Sequence, residues 1–283
     1  IFIDKADRVW ILSGEGLFLY KPTEDKLYNL REKFAPYTDY SPWALFVDDD
    51  GVAYLGFPNI GVIKYDIEAD KTTYLTHNNN LPTVICGYKD KYILFGTRDK
   101  GLFLIDKETG EQEKLLIDES LNSDVYVRHI AEISKDEYWI GAESGIYVLK
   151  NGTTQHIIHE DYNDLSISNN AIYAICKDKE GGIWIGSYFG GVDYIPKQYS
   201  YFENFYPIAY KNSISGYRVR EFVSDKKGNL WIATEDNGLN YYDTHTGLFT
   251  HISERTQPVN ISFSNIQCLN LAGDKLWIGT FTK

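Results

Sequence analysis

One phrase recurs along this chain at an almost fixed interval. GGIWIGSYFGGVDY at residues 181–194 returns as GNLWIATEDNGLNYYD from Gly228. Aligned on the Trp position, seven copies appear, anchored at Trp10, Tyr54, Leu94, Trp139, Trp184, Trp231 and Trp277, so the spacing stays between 40 and 47 residues. A period held over the whole length restricts the chain to a repeat architecture. A unit of this size cannot bury its apolar face alone and must stack on its neighbours.

Each period resolves into four short runs. In the sixth copy these are RVREFVS, NLWIAT, GLNYYD and LFTHIS, separated by SDKKG, EDN and THTG. The runs alternate apolar and polar residues, as half-buried strands do. SDKKGN and DTHTG carry turn chemistry, and Gly16, Gly61, Gly101, Gly145, Gly191 and Gly238 fall where a corner with positive φ is expected. Four antiparallel strands per period make one blade. The expected fold is therefore all-β: a β-propeller of about seven four-stranded antiparallel blades of 40–47 residues, spanning 1–283. The anchor residues are expected to be packing, wedged between adjacent sheets.

The ends complicate ring closure. The first copy starts inside its innermost strand (IFID), and the seventh stops after its second (LWIGTFTK). The long aromatic stretch PKQYSYFENFYPIAYKNSISGYR suggests a join between two adjoining propellers at 196–216. Both one ring and parts of two rings remain open on this evidence. The chain contains no Met and no leader-like segment, which favours a piece of a longer protein.

Charge narrows the partners. With 28 basic and 40 acidic residues the net charge is −12, which argues against nucleic acid or an anionic membrane as the partner of this segment. No apolar run is long enough to span a bilayer. Aromatics form 15% of the chain, with 23 Tyr, in keeping with strands rather than helices.

The copies resemble the two-component regulator propeller repeat, whose pattern is close to D-x-x-G-x-L-W-I-G-T-x-x-G-G-L-x-x-Y-D. Asp178 to Tyr194 (DKEGGIWIGSYFGGVDY) and Asp225 to Asp243 (DKKGNLWIATEDNGLNYYD) match nearly throughout, as do Trp139 to Val148 and Trp277 to Thr280. Copies two and three depart from it, with Tyr54 and Leu94 in place of Trp. The resemblance implies the periplasmic sensor region of a hybrid two-component histidine kinase of Bacteroidetes, anchored to the inner membrane elsewhere. It also implies an oligosaccharide cue controlling glycan-utilisation genes, a homodimeric full-length protein, and the remainder of the sensor kinase chain as partner. In that family two seven-bladed propellers precede the membrane helix, and none of the kinase part is present here.

Strand parity places the loops between second and third strands on the same face as the long connectors REKFAPYTDYSPW, HEDYNDLSISNNA and FYPIAYKNSISGYR. Varied loops on one face of a rigid scaffold are where binding usually resides. Sugars favour aromatic platforms flanked by planar hydrogen-bonding groups. The ligand-binding candidates on that face are Trp43, Arg98, Glu143, Tyr188, Phe189, Arg218, Arg220, Glu235 and Asp236. Arg218 and Arg220 are expected to share one strand face by their two-residue spacing.

No catalytic residue, metal site or cofactor is expected. Asp48-Asp49-Asp50-Gly51 lacks the alternating ligands and distal Glu of a calcium loop and reads as a hairpin turn. His156 and His159 point to opposite faces of a strand. Cys86, Cys176 and Cys268 lie in the first strands of alternate copies and read as small buried hydrophobes rather than bridged pairs. The leading function is a ligand-sensing module that does no chemistry. The alternatives are a propeller glycan lyase or glycoside hydrolase, for which Glu143, Glu235 and Asp236 could supply a carboxylate pair, and a protein-interaction platform.

Overall fold

The computed structural model describes residues 1–118, 123–163, 166–197 and 204–281. Almost every regular element is a strand, and the one helix among the described residues is the four-residue turn Arg31–Phe34. The strands form seven antiparallel sheets in chain order, spanning residues 2–29, 44–77, 82–124, 127–157, 172–195, 219–252 and 266–280. Each is a simple meander. In the fourth, Val127–Ser134, Glu137–Ala142, Gly145–Lys150 and Thr153–Ile157 lie in sequence order across the sheet. The third sheet gains a short fifth strand, Ser123–Asp124. Among the described residues the fifth sheet has three strands and the seventh has two. The array is that of a β-propeller. No helix among the described residues is long and apolar enough to cross a membrane.

All seven anchors sit in the second strand of their sheet. The alternation of a strand then gives each sheet two apolar faces, one to its predecessor and one to its successor. Trp10 joins a core with Ala53, Leu55 and Tyr65 of the second sheet. Tyr54 packs with Ile85, Ile93 and Phe95 of the third, and Leu94 with Ile130, Tyr138 and Ile140 of the fourth. Trp139 packs with Ile172, Ile175 and Ile185 of the fifth. In every case the anchor faces the following sheet.

That rule explains an exception to the expected packing. Trp184 is 46% exposed and Trp277 is 64% exposed. The chain divides into two compact units, residues 1–160 with 165–197, and residues 161–164 with 198–283. Sheet five is the last sheet of the first unit and sheet seven the last of the second, so within its own unit each lacks a sheet to cover the anchor's face. The leading face of sheet six, the first in its unit, is likewise bare: Phe222 is 65% exposed, whereas its counterpart Ile130 is buried. Within the second unit, Trp231 and Val223 pack against a core of Ala233, Leu239, Ile266 and Leu269. Of the stretch 196–216, residues 198–203 lie outside the described residues.

In three copies the Asp that opens the repeat is a structural partner of its anchor. Asp4 Oδ2 accepts from the Trp10 indole at 2.9 Å, Asp178 Oδ2 from the Trp184 indole at 3.0 Å, and Asp48 Oδ2 from the Tyr54 hydroxyl at 3.0 Å. The other oxygen of each closes the hairpin turn between, as when Asp48 Oδ1 accepts from Val52 N. Asp48 thus belongs to a turn, as its sequence context indicates. Where the anchor is Leu94, with no proton to donate, the corresponding position holds Tyr88. The closing Asp caps the hairpin between the third and fourth strands: Asp106 Oδ1 accepts from Glu108 N and Thr109 N, and Asp243 Oδ1 from His245 N and Thr246 N. At the corner between the second and third strands, Gly145 has φ +118°, and a Cβ there would meet Ile157 O at 2.5 Å, so glycine is required.

Cys176 and Cys268 are exposed and Cys86 is half-buried, which corrects the reading of all three as buried. Cys176 lies opposite Trp184 on the uncovered face of sheet five, and Cys268 opposite Gly279 in sheet seven, so the lack of a following sheet exposes them. All three thiols are free. His156 stacks on Tyr147 at 4.1 Å and contacts Ser144 O, while His159 Nδ1 contacts Ile167 O, so the two have separate partners. Among the described residues no group of three or more His, Cys, Asp or Glu side chains could hold a metal.

Candidate functional site

The innermost strands share an irregularity at one end. In sheets three to seven the pairing of first and second strands skips one residue: Thr83, Arg128, Tyr173, Arg220 and Gln267 respectively. Each is the third residue before the one paired with its anchor. Trp43 holds the same place in sheet two, three before Phe46, and its amide donates to Gly56 O at 2.9 Å. A bulge releases its extra residue from the ladder and re-aims the side chain. The repeat thus builds one redirected slot in each of sheets three to seven.

A second row lies beside the first. The residue leaving the second strand, four past the anchor, is Arg98, Glu143, Tyr188, Glu235 or Phe281. Its amide donates across the bulge to the first strand: Arg98 N to Leu81 O at 2.8 Å, Glu143 N to Tyr126 O at 3.1 Å, Tyr188 N to Ala171 O at 2.9 Å, and Glu235 N to Arg218 O at 2.9 Å. These bonds fix the second row against the slots.

In the first unit the two rows merge into a continuous surface. The Arg128 guanidinium lies between two rings, 4.1 Å from the Tyr126 centroid and 4.0 Å from that of Tyr173. Glu143 holds the same guanidinium by a hydrogen-bonded ion pair. Arg98 stands over the Tyr126 ring at 5.7 Å. On the other side Tyr173 stacks on Tyr188, with centroids 5.0 Å apart and planes 24° apart, and Phe189 meets Tyr188 edge-on at 4.4 Å. The end of this row is open to solvent, with Tyr188 59% and Phe189 80% exposed. Behind it His129 Nδ1 accepts from Ile175 N at 3.3 Å, and burial pushes the imidazole pKa down, so this neighbour contributes no charge.

The structure therefore brings four of the sequence candidates, Arg98, Glu143, Tyr188 and Phe189, onto one surface. Tyr126, Arg128 and Tyr173 complete it and were missed by loop-based reasoning, because they belong to the innermost strands or to the residues leading into them. Counting by period would have found two of them, since Arg128 and Tyr173 stand 45 residues apart at the Trp43 position of their copies. Trp43 itself, 53% exposed, lines a separate groove of about 500 Å³ with Leu12, Arg31 and Tyr40.

The remaining candidates lie in the second unit. Arg220 pairs with Glu235 at 3.0 Å, repeating the Arg128–Glu143 arrangement at equivalent positions. Asp236 Oδ2 accepts from Tyr217 N at 3.1 Å and so closes a loop. The expectation that Arg218 and Arg220 share a strand face is not met. The strand begins at Val219, and the bulge at Arg220 breaks the alternation on which that expectation depended.

Comparison with known proteins agrees with this repeat geometry. The family model described as Two component regulator propeller matches residues 166–189, which contain Tyr173, Tyr188 and Phe189. Among solved structures, the extracellular domain assigned to a hybrid two component system of B. thetaiotaomicron superposes with a TM-score of 0.71 at 24% identity, covering 97% of this chain and 35% of that one. A second such domain from the same organism gives 0.59 at 21% identity, covering 98% and 38%. The β-propeller domain of Swd1 from Myceliophteria thermophila gives 0.53 at 12% identity, covering 100% and 96%. At these identities the likeness establishes the propeller fold. The chain spans about a third of the length of the two bacterial domains. No curated protein sequence matches it. The family model matches one copy, at 166–189, of a period that the sequence holds on either side.

Proposed function

We propose that this chain is the extracytoplasmic ligand-sensing part of a hybrid two-component histidine kinase, and that it detects an oligosaccharide without transforming it. The observation that carries the reading is the Tyr126–Arg128–Tyr173–Tyr188–Phe189 row. Flat rings beside a clamped guanidinium suit the C–H faces and hydroxyls of a sugar chain. The bacterial domains that share the fold are extracellular parts of proteins assigned to two component systems, which supports a periplasmic sensor. Each glutamate is engaged in an ion pair, Glu143 with Arg128 and Glu235 with Arg220, which supports binding over chemistry. On this reading the kinase lies elsewhere in a longer, dimeric protein, and signalling requires the ligand to favour one arrangement of that dimer. We also infer that 196–216 joins two propellers. Support comes from the uncovered Trp184 face in one unit and the uncovered Phe222 face in the other, each fit to receive a further blade.

Isothermal titration of the chain against defined oligosaccharides tests the sensor reading. Binding to at least one glycan, lost in Tyr188→Ala/Phe189→Ala, with no release of new reducing ends, is the expected result. Turnover of the bound glycan, or affinity unaffected by the double substitution, would refute it.

A further inference from the structure

We infer that the ligand of this row carries a carboxylate or sulfate group, and that Arg98, with Arg128 beside it, receives that group. The inference rests on the row being a glycan-binding surface and adds the charge class of the glycan. The chain as a whole is acidic, at −12, yet this surface is not. Two guanidiniums lie against the single Tyr126 ring, and among the described residues Glu143 is the one carboxylate paired with them. That carboxylate is committed to Arg128. Arg98 is exposed, and among the described residues no carboxylate pairs with it.

The geometry suits an anion. Arg128 is held by the Tyr126 and Tyr173 rings and by Glu143, which fixes its guanidinium beside the Tyr126 ring that Arg98 also contacts. An anionic group bound at Arg98, with Arg128 beside the same ring, would gain the planar fork that guanidinium offers to carboxylate or sulfate. Because the site is already ordered, little conformational entropy is lost on binding. A neutral sugar could stack on Tyr173, Tyr188 and Phe189 but would leave the Arg98 charge unmatched. Directly beyond the guanidiniums lies the exposed aromatic run, which places the ring-stacking surface next to the charged end. A sugar whose acidic substituent projects from the ring edge matches both at once.

The test is titration calorimetry of the 283-residue chain with three tetrasaccharides: galacturonate (carboxylate only), carrageenan (sulfate only) and cellotetraose (neutral). Each is run at about 50 and 300 mM salt, a range across which exposed charge interactions are strongly screened. Expected is binding of one or both acidic probes, weakened at high salt. In Arg98→Ala their affinity falls about tenfold or more, while Arg98→Lys, which keeps the charge but not the fork, recovers part of it. Circular dichroism of each variant checks that it is folded. Salt-insensitive binding of cellotetraose as tight as that of the acidic probes, or equal losses for all probes in Arg98→Ala, would overturn the charge assignment while leaving the glycan reading intact. Failure of all three probes to bind would overturn both.

Discussion

Trp10 and Trp184 are the same residue of the same repeat, yet substitution should affect them very differently. Trp10 is fully buried, packs edge-on to Tyr65 at 6.4 Å, and donates its indole proton to the buried Asp4. A buried tryptophan removes about 200 Å² from water, worth about 5 kcal/mol at 25 cal/mol per Å². Truncation of a core Trp to Ala costs about 3–5 kcal/mol. Trp184, 46% exposed, retains roughly half of that contact, so Trp184→Ala should cost about 2 kcal/mol. Its bond to Asp178 adds little, because it competes with water. Urea unfolding of the chain followed by far-UV circular dichroism gives both values from the same unit. If Trp184→Ala destabilises as much as Trp10→Ala, the face of sheet five is covered and the rule that the anchor serves the following sheet fails. A cost for Trp10→Ala below about 1 kcal/mol would sink the wedge argument itself.

Two further outcomes follow from the packing. The exposed Cys176 and Cys268 should react with a disulfide reagent within minutes at pH 8, while Cys86, whose thiol burial pushes up to about 12, should react only on unfolding; three fast thiols would contradict the packing of sheet three. Acid should destabilise the chain through its turn aspartates. Burial opposes ionisation of Asp4, but the Trp10 indole, the Arg8 guanidinium and the Arg8 amide hold its carboxyl below the usual range, and Lys91 with the Thr109 and Glu108 amides does the same for Asp106. A depressed folded pKa gives stability that is present above the unfolded value, about 3.9, and is lost as pH falls through the lower folded value. Melting temperature should therefore drop steeply below about pH 4, and Asp4→Asn should flatten that drop. A curve level from pH 6 to pH 3 would refute the assignment.

The fold was legible because its signal is periodic. Trp10, Trp139 and their counterparts mark the second strand in every copy, and alternation around them assigns each apolar residue to a face. Occupation of those faces was not legible: GGIWIGS around Trp184 reads like a buried phrase, and only the division into two units shows that its partner sheet is missing. The Asp–Trp partnership was also hidden. Six residues of separation say nothing until the hairpin folds Asp178 back over Trp184 and reveals that the motif's first and most prominent residues form one contact. Of the site, Arg98, Glu143, Tyr188 and Phe189 could be named from loop position. Arg128 and Tyr173 could not, because strict strand parity predicts no place for a residue outside the ladder.

That missing place is the step that turns packing into recognition. A residue in the ladder is constrained twice, by its cross-strand partner and by the sheet it faces. The bulged residue escapes the first, so its slot can hold Thr83, Arg128, Tyr173 or Arg220 without altering the blade. Adjacent sheets pack about 10 Å apart, so neighbouring slots communicate only when long side chains fill them. Arg128 and Tyr173 bridge that distance guanidinium to ring, whereas the Thr83 hydroxyl reaches only backbone, donating to Val127 O at 2.7 Å, so the continuous surface begins at sheet four. Arg98 extends it backward over Tyr126, and Tyr188 with Phe189 extends it forward into solvent. Exchanging Tyr173 for Thr would leave sheet five folded while separating the charged end of the surface from its aromatic end. Ligand affinity should then fall with little change in melting temperature, the signature of a residue selected for reach rather than for packing.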